Sequence, residues 1–346
     1  MDGAFSFVVA VAAILLLGKI APALGLLDKP CERKAHDGHV PLVGGLGIFI
    51  ALALHYLFFG SVYPYAGTLL LLAAPLVVVS ALDDRQHISH KIRLVFQALA
   101  ALGMVLLTPA QLLDLGRLSG ELLVLGALAV PFTVFATVGV INAMNFTDGV
   151  DGLAGGLAFI AIAFMAYMAN GAGATAAPFL VVLLAAIFAF LLFNARWTGR
   201  RKAVVFLGDA GSVLLGFVIA WFLIELSQGE ARAFRPVTAL WFFAVPLIDT
   251  VTSIMRRIER GCSPFAPDRE HFHHVLNRLG LNDNQAVLTI YLFAFLFGAV
   301  GVLGERYQWS EPLLCSAFLG VLGIYYFILM HAWRAMRVIK LVFAVK

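Results

Sequence analysis

Charged residues are scarce in this chain of 346 residues, at 13% against the roughly 25% that is typical of soluble proteins. Hydrophobic residues make up 62% of the chain, and the mean hydropathy is +0.94. A soluble monomer of this length could not bury so much apolar surface, so we expect the protein to lie in lipid. This composition excludes a soluble enzyme, a nucleic-acid-binding module and a disordered chain.

Cysteine is also scarce. Cys31, Cys262 and Cys315 are far apart and lack the CxxC spacing of metal sites, so we expect neither a disulfide framework nor a cysteine metal cluster. The first apolar run has no basic residues before it and no small-residue cleavage signal after it. We therefore interpret it as a first membrane span and not as a signal peptide.

Eleven apolar runs are long enough to cross a bilayer, which needs about 20 residues and at least roughly 17. Only helices suit such runs, because the strands of membrane barrels are about 10 residues of alternating pattern. The sequence therefore predicts an all-α integral membrane protein with about eleven transmembrane helices. The runs are residues 4–27, 43–60, 66–82, 92–108, 121–141, 153–170, 176–194, 204–226, 236–255, 286–304 and 312–331.

The basic residues predict the orientation. Of 24 Lys and Arg, 19 fall on one set of alternate loops and the C-terminal tail, and four fall on the other set. The positive-inside rule then places the N-terminus outside and the C-terminus in the cytoplasm. We expect a single polytopic domain with its active site on the cytoplasmic side, on residues 28–42, 83–93, 142–152, 195–212 and 256–285.

Carboxylates are informative in such a chain, since each costs about 2.5–3.5 kcal/mol at the centre of a membrane helix. Asp83 and Asp84 close the third run, Asp148 and Asp151 lie between the fifth and sixth, and Asp209 interrupts the eighth beside two glycines. Any one of these acids could simply be solvated at a helix end. That explanation is weakest for Asp209, and it does not explain why the acids share the cytoplasmic side.

Clustered aspartates repel one another, so we expect a cation among them. Carboxylate and amide oxygens suit Mg²⁺, which binds one or two protein ligands together with substrate phosphates. Lys34, Lys91 and other basic residues on the same side could hold those phosphates. The positive-inside rule alone would also place them there.

Residues 142–152 carry Asn or Asp at every third position. On a regular α-helix these side chains would not share one face, since each step of three turns 300°. A shared face requires a tighter or broken helix, which Gly149 and Gly152 permit. Close helix packing by small residues is the alternative explanation of the glycines, but it leaves the polar residues unexplained.

Three of the nine histidines, His271, His273 and His274, fall within four residues of the last long loop. Zinc binding is one interpretation, although neither a Cys pair nor an HExxH spacing supports it. Contacts to phosphate or sugar hydroxyls are the better interpretation. A solvated surface cluster is the third.

Together these motifs resemble those of the polyprenyl-phosphate N-acetylhexosamine-1-phosphate transferases. The similarity runs in family order from about residue 25 to 280, and each motif alone would be weak. The matching segments are 25–45, Asp83-Asp84 with Lys91, 142–156 as NxxNxxDGxDGLxGG, 206–212 as FxGDxGS, and 269–274 as the His-rich segment.

Within the family, residues 263–274 (SPFAPDREHFHH) are most similar to the undecaprenyl-phosphate N-acetylglucosamine-1-phosphate transferases that start O-antigen, enterobacterial common antigen or teichoic-acid synthesis. The Pro-Leu-His-His-His type of run typical of the muramoyl-pentapeptide branch is absent. Relatives that use other UDP-N-acetylated sugars share the pattern, so the sugar stays open. The resemblance implies a bacterial inner-membrane enzyme that joins a UDP-N-acetylhexosamine to undecaprenyl phosphate, and it leaves a homodimer open.

The resemblance also implies roles for individual residues. Mg²⁺, with Mn²⁺ as the alternative ion, would be bound by Asp209 and by the amide oxygen of Asn145. Asp83 and Asp84 would handle the polyprenyl phosphate. The remaining candidates are Asp148 and Asp151 as further catalytic acids, and Lys34, Lys91, Asn194, Arg269, His271, His273 and His274 as substrate-binding residues.

The chemistry we expect is phosphoryl transfer in which UMP leaves the sugar-linked phosphorus. A phosphate monoester has its second pKa near 6, so the attacking oxygen needs little help from a base. Asp83 then orients the nucleophile or acts as a modest base, and a covalent aspartyl-phosphate route ranks lower. A secondary transporter is the alternative from another class, but it should carry paired ionisable residues near the membrane midplane. Another lipid phosphotransferase or a scaffold explains the motifs less well.

Overall fold

Helices form almost all of the structure, a computed structural model that describes residues 2–28, 39–60, 63–86, 88–196, 202–263 and 271–331. Two strands of two residues, β1 (Leu27–Asp28) and β2 (Val40–Pro41), pair antiparallel. The helices are α1 (Asp2–Leu24), α2 (Gly44–Phe59), α3 (Ala66–Gln86), α4 (His90–Leu107), α5 (Ala129–Thr147), α6 (Leu153–Gly171), α7 (Ala177–Asn194), α8 (Gly208–Glu225), α9 (Pro236–Phe242), α10 (Ala244–Glu259), α11 (Phe272–Arg278), α12 (Asp283–Arg306) and α13 (Glu311–Met330).

The hydrophobic runs are confirmed as helices, since each of the eleven contains one helix or, for 236–255, two. Within the described residues, nine helices have the length and apolarity of a membrane span, and α9 with α10 would make a tenth if they form one bent span. The short α2 has 16 residues. Large apolar side chains face outward, as in Phe135, which is 73% exposed. The protein is therefore an all-helical, multi-pass membrane protein.

The run 236–255 is not the single straight helix that its hydropathy suggests. Its axis bends by 85° between α9 and α10. Pro246 lies in the first turn of α10 and has no N–H to donate to the carbonyl of Phe242, so the ladder of helical hydrogen bonds is interrupted there. The break sends α10 towards α5 and α13.

The sequence placed the fifth run, residues 121–141, several residues before the helix that the structure shows. The helix begins at Ala129, after a single 3₁₀ turn at Gly126–Leu128, and continues to Thr147. Residues before it form an extended segment, in which Asp114 and Val124 pair as an isolated bridge. Asn142 and Asn145, expected in a loop, therefore lie on the last turns of α5.

The core of the molecule is α8, which is almost completely buried and contacts α5, α3 and α2. Several glycines make these close contacts. At Gly45 a Cβ atom would lie 2.1 Å from the Cα of Gly211, and at Gly216 it would lie 2.6 Å from the Cα of Ile141. At the C-terminal end of α8, buried Trp221 donates to the carboxylate of Glu225 at 2.8 Å, and the Tyr63 hydroxyl donates to that same carboxylate.

Candidate active site

One end of the helix bundle, called the polar end below, brings four helix termini together: the C-termini of α3 and α5 and the N-termini of α4 and α8. Arg93 on α4 joins two of the predicted acids there. Its Nη1 atom lies 2.5 Å from Oδ2 of Asp83 and 2.8 Å from Oδ2 of Asp209. Asp83 and Asp209 are 126 positions apart in sequence, so this contact shows that distant acids converge at a shared cation.

Asn145 completes this group from the last turns of α5. Its amide nitrogen lies 3.0 Å from Oδ1 of Asp209 and 3.0 Å from the hydroxyl of Ser212. Asp209 keeps a third of its side chain exposed, whereas Asp83 is buried. Asp83, Arg93, Asn145 and Asp209 are called the acidic cluster below.

Asp84 has a different environment from Asp83, although the two are adjacent in sequence. Its carboxylate accepts hydrogen bonds from the backbone N–H groups of Asp209 at 3.1 Å and Ala210 at 3.5 Å. These groups lie in the first turn of α8, where a carboxylate is stabilised by the helix dipole. Gly208 has φ +72°, and a Cβ there would come within 2.8 Å of Asp84 Oδ2, so a glycine is required. Asp84 thus anchors α8 to α3.

The segment after β2 lies directly beside this helix terminus. Phe206 donates its N–H to Pro41 O at 2.9 Å, while Gly44 and Gly45 donate theirs to the carbonyls of Phe206 and Leu207 at 3.0 Å each. The first predicted cytoplasmic loop and the FxGDxGS segment are therefore hydrogen-bonded together. Lys34, predicted to bind substrate from this loop, lies outside the described residues.

The helix is broken within residues 142–152 as the glycines permit, but the break does not bring the polar residues onto one face. The α5 helix ends at Thr147, and Gly152 takes the left-handed conformation with φ +84° before α6. Asn142 points away from Asp209 and donates to Gln97 at 2.8 Å. Asp148 lies at the C-terminal end of α5 with an exposed side chain, three residues beyond Asn145.

Asp151 and Asn194 lie in a second group of contacts at the polar end. Asp151 accepts a hydrogen bond from Nε of Arg196 at 2.7 Å, and Arg196 also pairs with Asp283 at 3.1 Å. Buried Asn194 accepts from the N–H of Gly152 at 2.7 Å and donates to Val205 O at 2.9 Å. These contacts fix the ends of α6, α7 and α12 to one another.

His271, His273 and His274 lie together at the start of α11. The ring of His273 packs against the break between α5 and α6, where a Cβ on Gly149 would lie 3.2 Å from its Cε1. Its ring centroid is 6.3 Å from that of His271 and 4.0 Å from that of His274. Burial, and then the neighbouring His274, lower the pKa of His273 to about 4, so the ring is neutral at pH 7. Arg269 lies outside the described residues.

Lys91 lies two residues before Arg93 at the start of α4, and its side chain is exposed. No ion pair links it to another residue in the described ranges. It is thus accessible to a ligand arriving at the polar end.

Oxygen atoms dominate the donor set of the acidic cluster. Asp83 and Asp209 supply carboxylates, and Asn145 supplies an amide whose oxygen and nitrogen can exchange places by a rotation of the side chain. Such donors suit Mg²⁺, which takes one or two carboxylates and completes its shell with water and substrate phosphate. No group of three or more His, Cys, Asp or Glu that could hold a metal ion occurs within the described parts of the chain, so an ion at the cluster would depend on one or two carboxylates, Asn145 and substrate oxygens.

The sequence did not single out three residues whose contacts the structure shows, Arg93, Arg196 and Asp249, as site residues. Arg93 and Arg196 were hidden among the many cations that the positive-inside rule explains. Asp249 lies in the ninth run, and its carboxylate is 2.8 Å from Nδ1 of His271, a partner 22 positions away in sequence. The contacts of Arg93 with Asp83 and Asp209 could not have been predicted from sequence spacing alone.

Comparisons with known proteins show which family this chain resembles. A family model described as glycosyl transferase family 4 matches residues 66–227, which include Asp83, Asn145 and Asp209. Three similar relatives are each named undecaprenyl-phosphate α-N-acetylglucosaminyl 1-phosphate transferase. The protein from Yersinia pestis is 39% identical over 97% of this chain and 93% of its own length, that from Salmonella typhi 40% over 94% and 90%, and that from Haemophilus influenzae 37% over 97% and 95%.

The chain belongs to the polyprenyl-phosphate N-acetylhexosamine-1-phosphate transferase family. The resemblance inferred from the motifs is therefore confirmed. In this transferase the family match ends at residue 227, before the histidines, but the relatives align over nearly the whole chain. The acidic cluster and the His-rich segment thus both lie within the aligned length.

Proposed function

We propose that the protein transfers N-acetylglucosamine 1-phosphate from UDP-N-acetylglucosamine to undecaprenyl phosphate and releases UMP. The observation that carries this proposal is the convergence of Asp83 and Asp209 on Arg93, beside Asn145, at one end of the bundle. Relatives with 37–40% identity carry the name of this activity. The product, a lipid-linked sugar diphosphate, would begin a surface polysaccharide.

The transfer needs an oxygen of undecaprenyl phosphate to attack the sugar-linked phosphorus while the bond to UMP breaks. The nucleophile is a phosphate monoester and is largely ionised at pH 7, so a general base adds little. Asp83 is held by Arg93 at 2.5 Å, which favours a role in orienting that guanidinium over a role as a base. We assign Arg93 to the phosphate oxygens that approach the cluster, since a guanidinium binds phosphate well.

Asp209 and Asn145 are the residues we propose as ligands of Mg²⁺, with Mn²⁺ as the alternative ion. When bound, the ion would neutralise charge on the diphosphate and on the leaving UMP. Asp151 and Asn194 would then lie on the nucleoside side of the site, and Asp148 would be a further catalytic acid. Lys34, Lys91, Arg269 and the histidines would contact the diphosphate and sugar. The neutral ring of His273 would serve there as a hydrogen-bonding group and not as a cation.

We further propose that the polar end faces the cytoplasm at the bacterial inner membrane. The strong bias of Lys and Arg towards this side supports it, as does the nucleotide sugar, which is a cytoplasmic metabolite. With α2 and the bent α9–α10 pair each counted as a span, the chain crosses eleven times, the N-terminus is outside and the C-terminus is inside. A homodimer is compatible with this arrangement.

The test uses purified protein in detergent with UDP-N-acetylglucosamine, undecaprenyl phosphate and Mg²⁺. We expect UMP release that requires all three and stops with EDTA. Asp209→Asn should leave no more than about 1% of the activity, because a ligand to the charge-neutralising ion is lost. Glu230→Gln, an exposed acid on the loop after α8, is the control and should behave like the unmodified protein.

A panel of other UDP-N-acetylated sugars tests the sugar. If another UDP-sugar is turned over faster, that sugar replaces N-acetylglucosamine as the proposed substrate, and the proposed reaction class stands. UMP release without undecaprenyl phosphate, or full activity in EDTA, would contradict the acceptor or the metal. A transporter is not favoured, because the acids of the cluster lie at helix ends and not in paired broken helices at mid-depth.

A further inference from the structure

Asp249 is a buried acid on α10 that the proposed chemistry does not use. Its side chain is satisfied by three donors. Oδ2 lies 2.8 Å from Nδ1 of His271, while Oδ1 accepts from the backbone N–H of Phe272 at 3.0 Å and from the hydroxyl of Tyr325 at 2.5 Å. A buried carboxylate is tolerated only with such partners, so the three contacts together fix its position.

The two oxygens of Asp249 have separate tasks. Oδ1 accepts a hydrogen bond from the first N–H of α11, the short helix that carries His273 and His274. The same oxygen accepts a second hydrogen bond from the hydroxyl of Tyr325 on α13. Oδ2 meets the ring of His271, the residue that precedes α11. The orientation of the ring and the start of the helix are therefore set by one carboxylate.

This contact decides which nitrogen of His271 faces other groups. An imidazole carries hydrogen-bonding atoms at Nδ1 and Nε2, and a carboxylate can only accept. Nδ1 must therefore carry a proton, which leaves Nε2 as the atom of the ring that is available to a substrate. Carboxylates orient metal-binding histidines in the same way, through the nitrogen that does not bind the metal.

The C-terminal end of α11 is fixed as well. The side chain of Asn277 donates to Asp283 at 3.0 Å, and Asp283 pairs with Arg196, which holds Asp151. The short helix is thereby tied to the ends of α6 and α7. A seven-residue helix has little stability of its own, so such ties are needed to keep its histidines in place.

We propose that Asp249, supported by Tyr325, is the positioning residue of the His-rich segment, holding His271 with Nδ1–H inward so that Nε2 meets the substrate diphosphate. This proposal rests on the proposed function, in which His271 contacts that diphosphate. Asp249 itself touches no reacting atom.

The decisive variant is Asp249→Asn. The amide oxygen can keep the contacts to Phe272 and Tyr325, and the amide NH₂ then faces His271 and opposes a proton on Nδ1. We expect kcat/KM for UDP-N-acetylglucosamine to fall about 10- to 100-fold, the range seen when such supporting carboxylates are removed. KM for undecaprenyl phosphate should change less than about two-fold. The melting temperature in detergent should stay close to that of the unmodified protein.

Two tyrosines on α13 give a matched pair. Tyr325→Phe removes only the hydroxyl that supports Asp249, and we expect kcat/KM to fall roughly five-fold. Tyr326 is the next residue on the same helix, and its hydroxyl donates to Glu259, an exposed contact. Tyr326→Phe should be indistinguishable from the unmodified protein. Equal effects of the two substitutions would overturn the role of Tyr325.

A double-mutant cycle tests whether Asp249 acts through His271. In a His271→Ala background, Asp249→Asn should have less than about a two-fold further effect, because the group it positions is gone. Multiplicative effects of the two substitutions would show that Asp249 matters only for packing, and the proposal would fail.

Nitrogen-15 NMR of the histidines provides a readout that does not depend on turnover. We expect a protonated Nδ1 signal that disappears in His271→Ala and moves in Asp249→Asn. If the unmodified protein lacks this signal, the positioning proposal fails whatever the activity. If the signal is present but no UMP is released from any UDP-sugar, the proposed function fails and the Asp249–His271 contact stands.

Discussion

Arg93 is the residue on which the acidic cluster depends in the structure. A cation at 2.5 and 2.8 Å from two carboxylates lowers their mutual repulsion, which is considerable in a partly buried site. The sequence predicted that something positive must lie among the acids and assigned that role to a metal ion. The structure adds a guanidinium at that position, so a bound metal and Arg93 would share the same negative charge.

The effect of replacing Arg93 on the affinity for a divalent cation therefore has a predictable direction. In Arg93→Gln, Asp83 and Asp209 lose a nearby positive charge, so a divalent cation should bind more tightly. We expect the Mg²⁺ concentration for half-maximal activity to fall about five-fold, equivalent to roughly 1 kcal/mol. The KM for the UDP-sugar should rise, because a phosphate contact is lost. Titration of activity with Mg²⁺ measures the first effect, and initial rates measure the second.

Arg85→Gln is the control for that experiment. Arg85 lies in the last turn of α3 with an exposed side chain, close to Asp83 in sequence but outside the acidic cluster. Its removal should leave the Mg²⁺ requirement unchanged. A higher Mg²⁺ requirement in Arg93→Gln would mean that Arg93 helps the metal to bind and does not compete with it.

His273 makes the stability of the protein depend on pH. Burial lowers its pKa to about 4 in the folded protein, whereas the unfolded chain has the ordinary value near 6.5. Between these values the unfolded state binds more protons, so stability rises with pH and is lost on acidification from about pH 6.5 to 4. The contribution is at most about 1.4 kcal/mol per pH unit.

We therefore expect the melting temperature in detergent to fall between pH 6.5 and 4.5, and to fall less steeply in His273→Gln. The glutamine cannot be protonated, so the part of the slope that belongs to this ring should vanish. Melting curves at several pH values check this. Parallel slopes for both proteins would show that His273 does not contribute.

Among the helices, the contact of α2 with α8 leaves no room for a side chain. Since a Cβ at Gly45 would lie 2.1 Å from the Cα of Gly211, Gly45→Ala must push the two backbones apart. That movement would also break the hydrogen bonds from Gly44 and Gly45 to the carbonyls of Phe206 and Leu207. We expect a loss of about 3 kcal/mol or more and little activity.

Gly320→Ala is the matched substitution on α13. Within the described residues, nothing lies within 4 Å of a Cβ at Gly320, so the change should be neutral or add up to about 1 kcal/mol of stability through helix propensity. Thermal melting and expression level separate the two variants. A Gly45→Ala protein with normal stability would show that the helices can separate here without cost.

The helices themselves were largely predictable, because long apolar runs in lipid have little choice but to form helices. Hydropathy did not reveal the bend of 85° between α9 and α10, because an apolar run has the same hydropathy whether or not its helix is broken. It also misplaced the start of α5, where apolar residues of the preceding extended segment resemble a helix.

The candidate site was predictable as a set of residue types but not as a set of contacts. Asp83 and Asp84 look equivalent in sequence, yet one pairs with Arg93 and the other binds the first turn of α8. The spacing of Asn142, Asn145 and Asp151 left open whether they share one face, and their partners lie on three different elements. Such differences depend on how helices pack, and spacing along the chain does not contain that information.

For the molecule as a whole, the proposed orientation can be tested with Cys262, whose side chain is exposed on the segment after α10. In a Cys31→Ser, Cys315→Ser protein, we expect a membrane-impermeant maleimide to label Cys262 in inverted membrane vesicles and not in spheroplasts. The reason is the concentration of Lys and Arg on that side of the membrane.

Glu230→Cys in a protein without the three native cysteines gives the opposite marker. Glu230 is exposed on the loop after α8, so the thiol should react in spheroplasts. Labelling of Cys262 from the outside would reverse the proposed topology and place the acidic cluster away from the cytoplasm.

Both ends of α8 are anchored, by Asp84 at its first turn and by the buried contact of Trp221 and Tyr63 with Glu225 at its last. Its 18 residues span about 27 Å, close to the roughly 30 Å of hydrocarbon in a bilayer. A rod tied to its neighbours at both ends cannot slide along its own axis. Asp209, in the first turn of that rod, is consequently held at a fixed height relative to α3, so the proposed metal ligand keeps its level beside Asp83.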